Sequence, residues 1–332
     1  MAVRTKTAEE HVSLTTQLLD EFFPFASPRA ELPDPTPAEG PDPYGNPDPE
    51  WLRIDWREHL HRVDVGGAGA VNYVEMGPDS AAALLLVHGL SGCWQNWLEN
   101  IPQFARSHRV IALDLPGFGQ TPMPEWEISV EAYGRFVHEF ADALGAQRCT
   151  IVGNSMGGFV AAEAATRRPD HFEKLVLASA AGISHARMRR EPAEVAARMG
   201  IAAAPLTIRL FDRGLRRRGL RRMLFGGLFY APELLRIELL YEFFHHGTRK
   251  PGMLPAVHGL VGYDILDRLE GVEVPSLIVW GRSDHIVPPQ DAIGYGRRLR
   301  NSRTVIFAKT GHVPMAERPM RFNRVLETFL AE

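Results

Sequence analysis

The stretch CTIVGNSMGGFVAAEAATR, from Cys149 to Arg167, joins a short apolar run to an alanine-rich segment through Gly153-Asn154-Ser155-Met156-Gly157. The run reads as a buried strand and the segment from Met156 as a helix, so Ser155 falls on the turn between them. A turn that tight holds its central residue in strained backbone geometry. Glycines on either side avoid the clash that a Cβ would make with the neighbouring helix or strand. A serine presented in this way can act as a nucleophile, and the flanking strand and helix give weight to a pentapeptide that is weak alone.

Outward from this turn, strands and helices alternate. Arg62 to Val65 and Val71 to Met76 read as an opening pair of strands, and residues 82–89, 108–117, 149–155, 174–179, 276–281 and 303–308 as strands buried on both faces. Helices are predicted over Gln95 to Ala105, Val130 to Leu144, Met156 to Arg167, Gln290 to Leu299 and Met320 to Leu330. The order implies an α/β fold, a mostly parallel central sheet flanked by helices. The rhythm breaks once, where residues 183–271 show helical and loop patterns without a convincing strand, as expected of an inserted α-helical cap. The expected organisation is a helix and proline-rich arm over 1–61, a core over 62–182 and 272–332, and the cap over 183–271.

A serine hydroxyl needs a base to take its proton and an acid to orient that base. Two residues at strand ends meet the need. Asp284 follows the strand SLIVWG and His312 follows RTVIFA, where loops face the crevice of a parallel sheet. The order Ser155, Asp284, His312 is therefore nucleophile, acid, base.

With these residues the chain resembles the α/β-hydrolase superfamily, from about residue 62 to the end. His88-Gly89, LDLPGFGQT (113–121) and the Gly-His followed by Glu-Arg-Pro near the C-terminus extend the match. The resemblance points to the capped esterases, lipases and carbon-carbon bond hydrolases, since epoxide hydrolases and haloalkane dehalogenases carry aspartate where Ser155 stands. It implies an oxyanion hole made by the backbone N–H groups of Leu90 and Met156, and a cofactor-free, metal-free serine hydrolase of esters with an apolar part. Rival readings are a carbon-carbon hydrolase of vinylogous diketone acids, a perhydrolase, and a ligand receptor on the same fold. The tryptophan usual after the Gly-His of the first rival is Val313 here.

Trp94, Phe225 and Phe229 are the candidate substrate contacts. His88 and Asp114 read as structural, His285 as a loop residue, and Cys93 as a small buried hydrophobe. His245-His246 stand at no recognised metal spacing from a carboxylate or cysteine. The arginine-rich segment 209–222 reads as a solvated helix face, with peripheral contact to an anionic membrane or pairing with the acidic arm as alternatives.

Composition fits this picture: among 332 residues, 45% are hydrophobic, 23% are charged and the net charge is -3, which gives no basic excess for nucleic acid. The 2 cysteines make no disulfide framework, and a cytoplasmic setting is expected. Acidic residues interrupt the N-terminal apolar stretches, and the apolar runs are too short to cross a bilayer.

Overall fold

The computed structural model describes residues 32–187, 214–247 and 250–332. The helix expected around Leu14 to Phe23 and part of the arginine-rich segment lie outside them. Eight strands form one sheet: β1 (Leu60–Val65), β2 (Gly69–Met76), β3 (Ala83–Val87), β4 (Arg109–Leu113), β5 (Cys149–Asn154), β6 (Phe172–Ala178), β7 (Ser276–Gly281) and β8 (Ser302–Phe307). Their order is β1-β2-β4-β3-β5-β6-β7-β8; β2 is antiparallel to both β1 and β4, and every other pair is parallel. The crossing of β3 and β4 leaves β5 beside β3, with Val87 paired to Gly153.

Alternate residues of each central strand feed two cores. Leu85, Val87, Ile111, Ile151 and Leu177 face helices Val130–Ala143, Met156–Arg167 and Gln290–Arg298, while Leu84, Leu86, Val110, Val152 and Val279 face helix Pro319–Ala331. Ser129 caps the first of these helices, its hydroxyl accepting the Ala132 N–H at 3.1 Å.

One expected helix is absent. Residues 94–104 form a 3-10 turn, Trp94–Trp97, and a single helical turn, Ile101–Phe104, because Pro102 confines a helix to starting there. The arm is extended and docked: Thr36 exchanges hydrogen bonds with Ile306 of β8, donating its N–H at 2.9 Å and accepting on its hydroxyl at 3.0 Å, which covers the sheet edge. Its Asp48, Glu50 and Asp42 pair with Arg53, with Arg106, and with Arg318 and Arg321, none of which lies between β6 and β7. Between β6 and β7 the described residues form helices, among them Arg218–Phe225, Ile237–His245 and Met253–Leu260, and no strand.

Candidate active site

Ser155 has φ 56° and ψ −121°, a left-handed conformation that an L residue adopts only when its surroundings impose it. They do so here from both sides. A Cβ on Gly153 would fall on the Gly157 carbonyl, and one on Gly157 would fall on the carbonyls of Val87 and His88. The turn is further held by Ser155 N–H to the Ala178 carbonyl and Ala181 N–H to the Ser155 carbonyl, each 3.0 Å.

Asp284 and His312 come together across the ends of β7 and β8. A Cβ on Gly281 would fall on the Gly311 carbonyl, so the loop after β8 lies directly over the end of β7. His312 Nδ1 meets Asp284 Oδ2 at 2.8 Å, with both residues buried. Asp284 Oδ1 accepts the N–H groups of Ile286 (2.8 Å) and Val287 (2.9 Å), which fix the carboxylate's plane. An imidazole that donates from Nδ1 carries its lone pair on Nε2. The His312 backbone is fixed too, its N–H on the Leu228 carbonyl at 2.8 Å and its carbonyl on Asn154 Nδ2 at 3.2 Å.

Ser155 and His312 line one cavity of about 440 Å³. Leu90 lines it as well, and Met156 begins a helix, so its N–H has no intrahelical acceptor. Most of the remaining wall is apolar: Leu228, Phe243, Phe244, Met253, Val257 and Leu260 rise from the segment between β6 and β7. No lysine or arginine among the described residues lines it.

The three expected substrate contacts are elsewhere. Trp94 is 4% exposed and packs on Trp56, with ring centroids 5.1 Å apart, while its backbone N–H donates to Asp114 Oδ1 at 2.8 Å. Phe225 and Phe229 lie behind the wall, Phe225 stacked on Phe244 at 4.6 Å and Phe229 edge-on to Phe243 at 5.5 Å. They pack against lining residues and are not among those that line the cavity.

His88 and Asp114 tie loops together. Burial pushes the His88 imidazole down to about 4, so the ring stays neutral; Nδ1 donates to the Gly89 carbonyl at 2.7 Å and Nε2 accepts the Leu115 N–H at 2.9 Å. Asp114, raised by burial, accepts from Trp94, Gln120 and Asn72. Cys93 is buried.

Two lining residues escape a sequence reading. His185 is pushed down to about 4, by burial first and then by the nearby His312. Asn96 is buried at the cavity wall, and its Nδ2 has no partner among the described residues. Asn96 sits in WQNW, where a helical pattern conceals it; His185 belongs to no motif.

Comparison with known proteins places the chain. A model of the alpha/beta hydrolase family matches residues 84–325. The chain is 30% identical over 273 residues to the dihydrolipoyllysine-residue acetyltransferase component of the acetoin cleaving system of Pseudomonas putida, covering 81% of this chain and 68% of that one. It is 28% identical over 278 residues to the 2-hydroxy-6-oxo-6-phenylhexa-2,4-dienoate hydrolase of Comamonas testosteroni, covering 79% and 91%. Among solved structures, a membrane phospholipase A described as a bacterial virulence factor superposes with TM-score 0.64 at 27% identity, over 82% of this chain and 85% of that one. With the family model spanning most of its length, the chain belongs to the alpha/beta hydrolase family.

Proposed function

We propose that the protein is a serine-dependent hydrolase of carboxylic esters that carry an apolar acyl or alcohol part. The observation that carries this reading is the joint exposure of Ser155 and the Asp284-oriented His312 to one largely apolar cavity. Ser155 Oγ attacks the ester carbonyl while His312 Nε2 takes its proton, and Asp284 stabilises the resulting imidazolium. The oxyanion of the tetrahedral intermediate accepts the N–H groups of Leu90 and Met156, each donor worth about 2.7–4 kcal/mol in mutational tests on another enzyme. The intermediate collapses with return of the proton to the departing alkoxide, leaving an acyl-serine. Water, deprotonated by the same imidazole, then releases the acid and regenerates Ser155.

A second reading, hydrolysis of a carbon-carbon bond in a diketone acid, is supported by relatives such as the Comamonas testosteroni enzyme and by the unpaired Asn96 donor at the cavity wall. Against it stand Val313 after His312 and the lack of a lysine or arginine among the described lining residues to receive the acid's carboxylate. Turnover of nitrophenyl esters of increasing chain length, beside a dienoic diketone acid, separates the two. The ester reading predicts turnover that rises with chain length; turnover of the diketone acid alone overturns it.

A further inference from the structure

The loop that carries His312 is held by a carboxylate with no part in the chemistry above. Glu317, 0% exposed, ends the short helix Pro314–Glu317, and the groups hydrogen-bonded to its carboxylate are donors. Oε1 accepts the N–H groups of Gly311 at 2.9 Å and Val313 at 3.2 Å, the residues on either side of His312. Oε2 accepts the Tyr230 N–H at 2.8 Å and the Tyr44 hydroxyl at 2.7 Å, and shares the Gly311 N–H at 3.0 Å. One side chain therefore joins the flanks of His312, the segment between β6 and β7, and the N-terminal arm.

Tyr44 is the arm's contribution. Its hydroxyl donates to Glu317 and accepts the buried Ala231 N–H at 2.8 Å, so it sits between the carboxylate and the wall segment. Burial, with the neighbouring Glu317, raises Tyr44 far above the ordinary phenol range, so the hydroxyl keeps its proton. The arm is locked around it. Gly45 N–H reaches the Glu317 carbonyl at 2.7 Å, and the Arg318 guanidinium lies 5.0 Å from the Tyr44 ring centroid while donating to the Asp42 carbonyl at 2.7 Å.

We propose that Tyr44 is a positioning residue for His312, acting through Glu317, and that it couples the imidazole's position to the segment roofing the cavity. The inference rests on the reading of His312 as the base. Among the described residues, removing the hydroxyl deprives Oε2 of its only side-chain donor and the Ala231 N–H of its acceptor. The carboxylate then recentres on the remaining N–H groups, two of which flank His312 in the chain. Displacement of a reacting group by about 1 Å can cost about a hundredfold in rate, so a few tenths of an ångström are felt in kcat.

The test is Tyr44→Phe, assayed with a short nitrophenyl ester at pH 8, above the value of about 7 to which burial pushes Glu317. A drop in kcat of about tenfold is expected, with KM within about twofold. The downfield proton resonance of the His312 Nδ1–H bonded to Asp284 should shift in the same variant. Glu317→Gln should lose more, and adding Tyr44→Phe to it should cost nothing further, since the two residues act in one chain. Should Glu317→Gln fail to fold, kcat and the resonance of Tyr44→Phe decide alone. A kcat within about twofold of wild type, an unmoved resonance, or losses that multiply in the double variant would overturn the proposal. If Ser155→Ala is inactive while Tyr44→Phe is normal, only the role of Tyr44 fails; if Ser155→Ala stays active, the fault lies in the catalytic assignment.

Discussion

Residues 149–167 and the described residues of 228–260 wall the same cavity but are constrained in different ways. In the first region backbone atoms leave no choice: the carbonyls of Val87, His88 and Gly157 occupy the space that side chains at 153 and 157 would need, and Ser155 is forced to a positive φ. In the second, Leu228, Phe243, Phe244, Met253, Val257 and Leu260 present apolar volume, and volume can be supplied by several residue types. Reactive geometry is thus written in residues that cannot be exchanged, while the shape of the bound molecule is written in residues that can. The prediction is that substitutions in the two regions change different kinetic constants.

Short of removing Ser155 itself, the largest break in that comparison should come from Asp284→Asn. It keeps the shape but lets the amide favour the other histidine tautomer, a change that costs about ten-thousandfold in an unrelated enzyme with this constellation. Near-normal turnover would mean that another acid orients His312. Phe244→Ala, on the exchangeable side, should leave short-ester turnover within about threefold while shifting kcat/KM toward longer chains by about tenfold, the low end of what one methylene is worth in an apolar pocket. A collapse of short-ester turnover would move Phe244 into the chemistry. Replacing Arg216, Arg217 and Arg218 together with glutamine should alter short-ester turnover by less than about threefold, because all three are exposed to solvent. Loss of binding to anionic vesicles by that variant, at an unchanged rate, would assign the basic stretch to a membrane surface.

The smallest effect lies in the core, away from the cavity. Burial pushes His138 down to about 4, with Nε2–H donating to the Ala164 carbonyl at 3.0 Å. Its folded value lies below its unfolded one, so the stability that goes with a neutral ring is complete above about pH 6.5 and is lost as pH falls toward 4. The melting temperature of His138→Phe should therefore fall less than that of wild type between those two pH values. An equal fall would show that His138 takes no part in acid sensitivity.

The two regions also differed in how much of them could be read from the chain. The strand runs from 276–281 and around 149–155 matched to within a residue, because a strand buried on both faces leaves an unbroken apolar signal. The placements of Ser155, Asp284 and His312 followed from strand ends. The lining did not follow, for a physical reason: Phe225 and Phe229 carry the same apolar signal as Phe243 and Phe244, and only packing decides which pair faces the cavity. Trp94 did not follow either, since its ring packs on Trp56, a residue distant from it in the chain. Glu317 lay in the Glu-Arg-Pro motif, but nothing in that motif announces a hydrogen bond from Tyr44 across 273 residues of sequence.

The proposed chemistry depends on Ser155 being the nucleophile, and Ser155→Ala tests it directly. The variant removes one oxygen from a residue whose backbone is fixed by its neighbours, so the melting temperature should stay within a few degrees of wild type. Ester turnover should fall by at least about ten-thousandfold, removal of such a serine from an unrelated hydrolase having cost about a millionfold. A folded Ser155→Ala that retains more than about a tenth of the wild-type rate would contradict the account.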